Sequence, residues 1–162
     1  MVLLGIDPGT RFAGFGVLKK EKRKVYLVDY GYLNMSGTKS LVERIGIFYD
    51  FFSEKIIRYM ITDIALETPF LGKNAKNFLK LGYLRGILYL LADKNNIIVH
   101  EFSPREIKLS ITGFGGASKE QLARVVLQLF PGVPTPQKDD VTDALAISLC
   151  GIWKNKVFYQ KI

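Results

Sequence analysis

Apolar residues come in short blocks at the start of the chain and at three- and four-residue intervals further along. Val2-Leu3-Leu4-Gly5-Ile6 leads into Asp7 and a Pro8-Gly9 turn, and Gly14-Phe15-Gly16-Val17-Leu18 follows. This pattern predicts a buried strand over 2–7, a tight turn and an antiparallel return strand over 12–19. A third strand is expected over 24–33, where aromatic and β-branched residues dominate. The basic run Lys19-Lys20-Glu21-Lys22-Arg23-Lys24 reads as the solvated hairpin between the last two.

Helical periodicity begins at Ser40-Leu41-Val42-Glu43, a capping box, and continues through Ile45, Phe48, Phe52, Ile56 and Tyr59. Residues 63–67 form a short apolar strand ending in Glu67. A second long helix, from Asn74 to about Lys94, carries the stripe Phe78, Leu81, Leu84, Leu88 and Leu91. Gly82 and Gly86 sit four apart on it, costing ~1 kcal/mol each relative to Ala. They imply close approach of the sheet or of a second subunit. A fifth strand is expected over 97–102. A short helix follows from Ser103-Pro104 to Thr112-Gly113, then one from the capping box Ser118-Lys119-Glu120-Gln121 to Pro131-Gly132. A last helix opens at Asp139. Repeats and domain boundaries are absent, so the expectation is one α/β domain over 1–162 with a short tail from Trp153.

Composition narrows the class. At 48% hydrophobic residues the chain is not disordered, and no apolar run reaches the ~18 residues of a membrane span. The N-terminus lacks a basic leader, and Cys150 is the single cysteine, so a reducing, cytoplasmic setting is expected. A net charge of +8 favours an acidic partner, nucleic acid first among them.

The chemistry lies in the acids. Asp7 and Glu67 each end a predicted buried strand, where a carboxylate loses solvation and needs a cation or donors. Asp139, Asp140 and Asp143 open the last helix, and either of the first two can share a face with Asp143. Turn capping by Asp7 and helix-dipole complementation by the helix acids are the plain alternatives. Taken together the acids form an all-oxygen set suited to Mg²⁺, and two such ions ~3.5–4 Å apart can hydrolyse a phosphodiester. His100 lies in an apolar strand and is expected to be a core or edge histidine. No P-loop occurs. Gly113-Phe114-Gly115-Gly116-Ala117-Ser118 fits no nucleotide fingerprint; flanked by Lys108 and Lys119, it reads as flexible backbone near phosphate. Phe70, in a loop with Gly72, Lys73 and Asn74, either stacks on bases or folds back onto the protein.

Several segments then match in order and spacing: Gly5-Ile6-Asp7-Pro8-Gly9-Thr10-Arg11; Glu67 with Phe70, Lys73, Asn74 and Ala75; Lys80-Leu81-Gly82 with Arg85-Gly86; Arg105 with Lys108; Gly113 with Gly115; Lys119; and Pro136-Gln137 leading to Asp140 and Asp143-Ala144-Leu145-Ala146. Over nearly its whole length the chain resembles the RuvC family of bacterial Holliday junction resolvases, within the ribonuclease H-like superfamily. The resemblance implies a five-stranded mixed β-sheet flanked by α-helices, a homodimer, and cleavage of four-way DNA junctions using two Mg²⁺ ions, with Mn²⁺ able to substitute. It maps the catalytic, metal-binding acids onto Asp7, Glu67, Asp140 and Asp143. Asp7 would bridge the ions, Glu67 would ligate one, and Asp140 and Asp143 the other. Asp139 departs from the family pattern, which has a small residue there. Implied DNA contacts are Phe70, Lys73, Asn74, Lys80, Arg85, Arg105, Lys108 and Lys119, with Lys108 and Lys119 supporting catalysis. Gly82 and Gly86 fall at the expected dimer interface, and RuvA and RuvB are the implied branch-migration partners. Rival readings are a YqgF-like nuclease acting on RNA precursors, a single-lobe ATPase of the actin and hexokinase type, and a catalytically idle junction-binding module.

Overall fold

The computed structural model describes residues 1–69, 75–136 and 138–154. Its strands are β1 (Val2–Asp7), β2 (Phe12–Glu21), β3 (Lys24–Asn34), β4 (Asp63–Glu67) and β5 (Ile98–Phe102). Its helices are α1 (Leu41–Tyr59), α2 (Ala75–Lys94), α3 (Pro104–Thr112), α4 (Lys119–Leu129) and α5 (Asp139–Lys154).

β1 is buried on both faces, and such a strand belongs at the centre of a sheet. The order is β3-β2-β1-β4-β5. β1–β2 and β2–β3 pair antiparallel, whereas β1–β4 and β4–β5 pair parallel, so the sheet is mixed as expected. Parallel pairing of β1 with β4 brings the C-terminal ends of both strands, and hence Asp7 and Glu67, to one edge of the sheet.

Helices cover both faces. α1 and α2 pack over Leu4, Ile6, Phe15, Val17, Ile64 and Leu66, with Phe48, Phe52, Leu84 and Leu88 as their main contributions. On the other face, α3, α4 and α5 bury Leu3, Leu18, Ala65 and Phe102 beneath Ile107, Val126 and Leu145. α1, α3 and α4 each begin with a complete capping box, at Ser40/Glu43, Ser103/Glu106 and Ser118/Gln121, so their starts are fixed locally.

The basic run at 19–24 differs from its expectation. β2 and β3 extend through most of it, leaving a turn at Lys22–Arg23 with Lys22 in the left-handed region at φ 54°. Helix α5 also continues past Trp153 to Lys154. His100 is a core residue: its Nε2 lies 2.7 Å from Asp63 Oδ1, and both residues are buried. Among the described residues, no helix is long and apolar enough to cross a membrane.

Candidate metal and nucleic-acid site

α5 lies against β1 and β2 more closely than ordinary side chains allow, because the facing positions are small. A β-carbon on Gly14 would overlap the backbone carbonyl of Asp140. One on Gly5 would come within 2.6 Å of the Ser148 backbone nitrogen, and one on Gly16 within 2.8 Å of Leu145. Ser148 seals the contact, its hydroxyl lying 3.0 Å from the Gly16 carbonyl oxygen and 2.7 Å from that of Ala144. This approach brings the first turn of α5 to the end of β1.

The turn after Asp7 is equally constrained. A β-carbon on Gly9 would overlap the Phe12 carbonyl, and Arg44 of α1 donates to the Thr10 carbonyl at 2.9 Å. Asp7 is therefore held on a turn clamped from two sides. Asp140 Oδ1 faces that turn, 3.8 Å from where a Gly9 β-carbon would stand. Asp139 is exposed and lines a groove of about 430 Å³ between α4 and α5, together with Lys119, Arg124, Thr142 and Asp143. The two adjacent acids thus point into different surroundings.

Electrostatics tie the four acids together. The Asp7 carboxyl is pushed up to about 7, first by burial and then by Asp143, Asp140 and Glu67, with Lys119 opposing. Burial and Asp143 also raise Glu67, against Lys119, Lys108 and Arg85. Buried carboxyls raised by neighbouring carboxylates, as Asp7 and Glu67 are, mark a site short of positive charge. Lys119 supplies some of it, donating to Asp143 Oδ2 at 3.0 Å, and that bond raises the lysine in turn.

The donor set contains only oxygens, the ligand type of hard divalent cations. Among the described residues no histidine, cysteine, aspartate or glutamate groups converge tightly enough to form a finished ligand cluster. The acids would have to draw together around an ion. Their chemistry and mutual repulsion fit a cation; the side-chain positions are those of a set held apart.

Arg85 corrects one expectation. Proposed as a DNA contact, it is 6% exposed. Its Nη1 donates to the Glu67 backbone carbonyl at 2.7 Å, and its Nη2 donates to Tyr89 Oη at 3.0 Å and to Glu101 Oε1. With its fork spent on the protein, Arg85 braces the strand end that carries Glu67. Together with Asp7, Glu67, Pro69, Phe78 and Leu81 it lines a second groove, of about 400 Å³, on the α2 side of the acids.

The other candidate residues differ in exposure. Arg105 and Lys119 are exposed, and Lys80 and Lys108 are half-buried. Gly82 and Gly86 are exposed on α2, and a β-carbon on either would meet nothing within 4 Å among the described residues. The sheet is therefore not what approaches them. Phe70, Lys73 and Asn74 lie outside the described residues. Sequence reasoning missed the bracing role of Arg85 and the glycine-lined seat of α5. Gly14 and Gly16, two apart on one face of a strand, were the available signal for that seat.

The protein-family comparison matches residues 3–151 to the model described as "Crossover junction endodeoxyribonuclease RuvC". A protein of that name from Pelodictyon phaeoclathratiforme is 42% identical over 152 residues, covering 94% of this chain and 80% of the relative. Its namesake from Chloroherpeton thalassium is 41% identical over 155 residues, covering 96% and 83% respectively. Among solved structures, the Thermus thermophilus RuvC in complex with Holliday junction substrate superimposes with a TM-score of 0.88 at 27% identity, covering 96% of this chain and 94% of the other.

Proposed function

The chain belongs to the crossover junction endodeoxyribonuclease RuvC family, and from that premise we propose that it resolves four-way DNA junctions by paired, symmetric nicks that leave 5′-phosphate ends, with Mg²⁺ as its ion. The observation that carries this reading is the raising of Asp7 by burial and by Asp143, Asp140 and Glu67, with Glu67 itself raised by burial and by Asp143, an acidic centre in a chain of net charge +8. A basic protein with an uncompensated acidic centre suits a polyanionic substrate brought to a cation.

Asp7, Glu67, Asp140 and Asp143 would hold two Mg²⁺ ions, with Mn²⁺ as a substitute. Bound there, a hard cation supplies Lewis acidity to the phosphodiester and lowers the pKa of a coordinated water. The chain's own contribution is placement. Arg44 and the Gly9 turn fix Asp7, Arg85 fixes the backbone of Glu67, and the glycine seat fixes α5. Lys119 holds one oxygen of Asp143 and places a cation at the edge of the acids. Lys108 of α3 adds positive charge beside Glu67, with Arg105 one turn before it on the same helix. Phe70, Lys73 and Asn74 are assigned to the junction on the family resemblance alone.

A homodimer is part of the same proposal, since a two-fold enzyme matches the symmetry of a four-way junction. It is supported by the exposed face of α2, where Leu79, Tyr83 and Leu90 accompany the two open glycines. Handling by RuvA and RuvB follows from the family resemblance.

The test is cleavage of a synthetic four-way junction beside linear duplex and RNA–DNA hybrid, with Mg²⁺ or with chelator. Paired nicks in the junction alone, dependent on the ion, are expected. Preferential cleavage of the hybrid, or ATP turnover without DNA, would overturn the reading.

A further inference from the structure

Phe114 is 64% exposed, yet it sits on a turn held by several hydrogen bonds. Its backbone nitrogen donates to Thr112 Oγ1 at 3.1 Å, and that hydroxyl lies 3.0 Å from the Phe114 carbonyl oxygen and 2.8 Å from that of Lys108. Ala117 donates back to the Phe114 carbonyl at 3.1 Å. The Gly-rich stretch is therefore ordered by hydrogen bonds. Its glycines have steric reasons: a β-carbon on Gly116 would come within 2.7 Å of the Phe114 ring, and one on Gly115 within 2.8 Å of the Arg105 side chain. The ring is backed by Gly116, and the Arg105 stem crosses the neighbouring glycine.

Two arginines lie close to this turn, Arg105 against Gly115 and Arg124 in the depression beside the ring. Phe114 and Arg124 share a depression of about 260 Å³ whose other lining residues include no acid. Arg124 also lines the groove between α4 and α5 that holds Lys119 and Asp143, with Glu120 and Asp139 on its walls as well. A continuous route therefore leads from the acids, over Lys119 and Arg124, to the aromatic ring. An exposed ring held on this turn with an arginine on each side of it in the chain matches a nucleobase between two phosphates, since stacking supplies affinity at every base and the cations track the backbone.

We propose that Phe114 is a base-stacking platform for the DNA strand that passes the acidic centre on its α4 side, with Arg105 and Arg124 meeting the flanking phosphates. The proposal rests on the junction-cleavage reading and adds a second aromatic contact, separate from the loop that carries Phe70.

The experiment uses the full chain, its Phe114→Ala and Phe114→Trp variants, and junctions bearing 2-aminopurine at successive positions on either side of the cleavage point. In chelator, wild type and Phe114→Trp should change the emission at one position, and Phe114→Ala should not. With Mg²⁺, single-turnover cleavage by Phe114→Ala should fall by about tenfold, the scale of one lost stacking contact, and Phe114→Trp should restore it. Thermal midpoints should agree, because the ring is exposed. Arg124→Gln should lower the slope of log affinity against log salt by about one. Failure of wild type to cut the junction would sink the functional reading itself. Normal cutting by wild type, with emission and rate unchanged in Phe114→Ala, would overturn the platform alone. So would a large fall in that variant's melting temperature with unchanged emission, which would make the ring a structural prop.

Discussion

Gly14 of β2 lies directly beneath the backbone of Asp140 in α5, so that any β-carbon at position 14 would overlap the Asp140 carbonyl oxygen. The obstruction is main chain and cannot swing away. Gly14→Ala should therefore lift the first turn of α5 from the sheet. Cleavage is expected to fall by about a hundredfold, the cost of misplacing reacting groups by an ångström, with a loss of about 1–3 kcal/mol in stability from overpacking. Single-turnover kinetics and chemical denaturation measure the two effects.

Neutralising the acids separates metal holding from DNA affinity. Asp7→Asn, Glu67→Gln, Asp140→Asn and Asp143→Asn should each abolish cleavage while junction binding in gel-shift assays survives, since phosphate contacts come from basic groups. Asp139→Asn should be much milder, because Asp139 faces the α4 groove and Asp140 the Asp7 turn. The reverse ranking of the adjacent pair would reassign the ligand.

Asp7 gives a pH test in metal-free protein. Its carboxyl titrates near 7 in the fold against an ordinary 3.8, so between those values the native state binds more protons than the unfolded chain. Stability must then fall as pH rises across that window, by linkage. Asp7→Asn removes the charge and should raise stability at pH 8 by about 1–3 kcal/mol, after discounting for solvent. The gain should vanish below pH 4. Thermal unfolding in chelator across pH 4–8 decides it, and a gain of equal size at both ends would disprove the assignment.

Arg85 should behave as an internal brace. Arg85→Met removes the donor to the Glu67 carbonyl and the cation beside Glu101, and should cost about 3–5 kcal/mol, as breaking a buried pair does. Arg85→Lys keeps the charge and loses the fork, so it should recover only part of that stability. A variant with an unchanged melting temperature but weaker junction binding would return Arg85 to the DNA surface.

The α2 glycines offer a clean test of assembly. A β-carbon at Gly82 or Gly86 meets nothing within 4 Å among the described residues, and leucine is a better helix former than glycine by up to ~1 kcal/mol. Gly82→Leu or Gly86→Leu should leave the protomer folded and shift sedimentation from dimer to monomer. A dimer of full activity would move the interface elsewhere.

Strand ends and helix starts were readable because they depend on neighbours in sequence. Asp7 and Glu67 each close an apolar run, and Ser40, Ser103 and Ser118 each precede a Glu or Gln at the capping position. Arg85 was not readable: an arginine on an amphipathic helix normally reaches solvent, and its burial depends on Glu101 in another strand and on a carbonyl at Glu67. Helical spacing alone left Asp139 and Asp140 equivalent beside Asp143, and only the family resemblance favoured Asp140; the contacts that separate their surroundings come from Gly9 and Gly14, more than a hundred residues earlier. Phe114 was obscured for the opposite reason. Core and surface phenylalanines look alike in a sequence, and only the turn around it shows which one this is.

Because the acids come from β1, β4 and the first turn of α5, the centre needs both the beginning and nearly the last part of the described chain. Contacts of such long sequence separation form late. During synthesis the sheet and first helices can assemble on the ribosome while Asp7 still lacks Asp140 and Asp143. On the proposed assignment of the acids, a nascent chain of this kind would be a nuclease without an edge, unable to cut DNA until α5 has emerged and found its glycine seat.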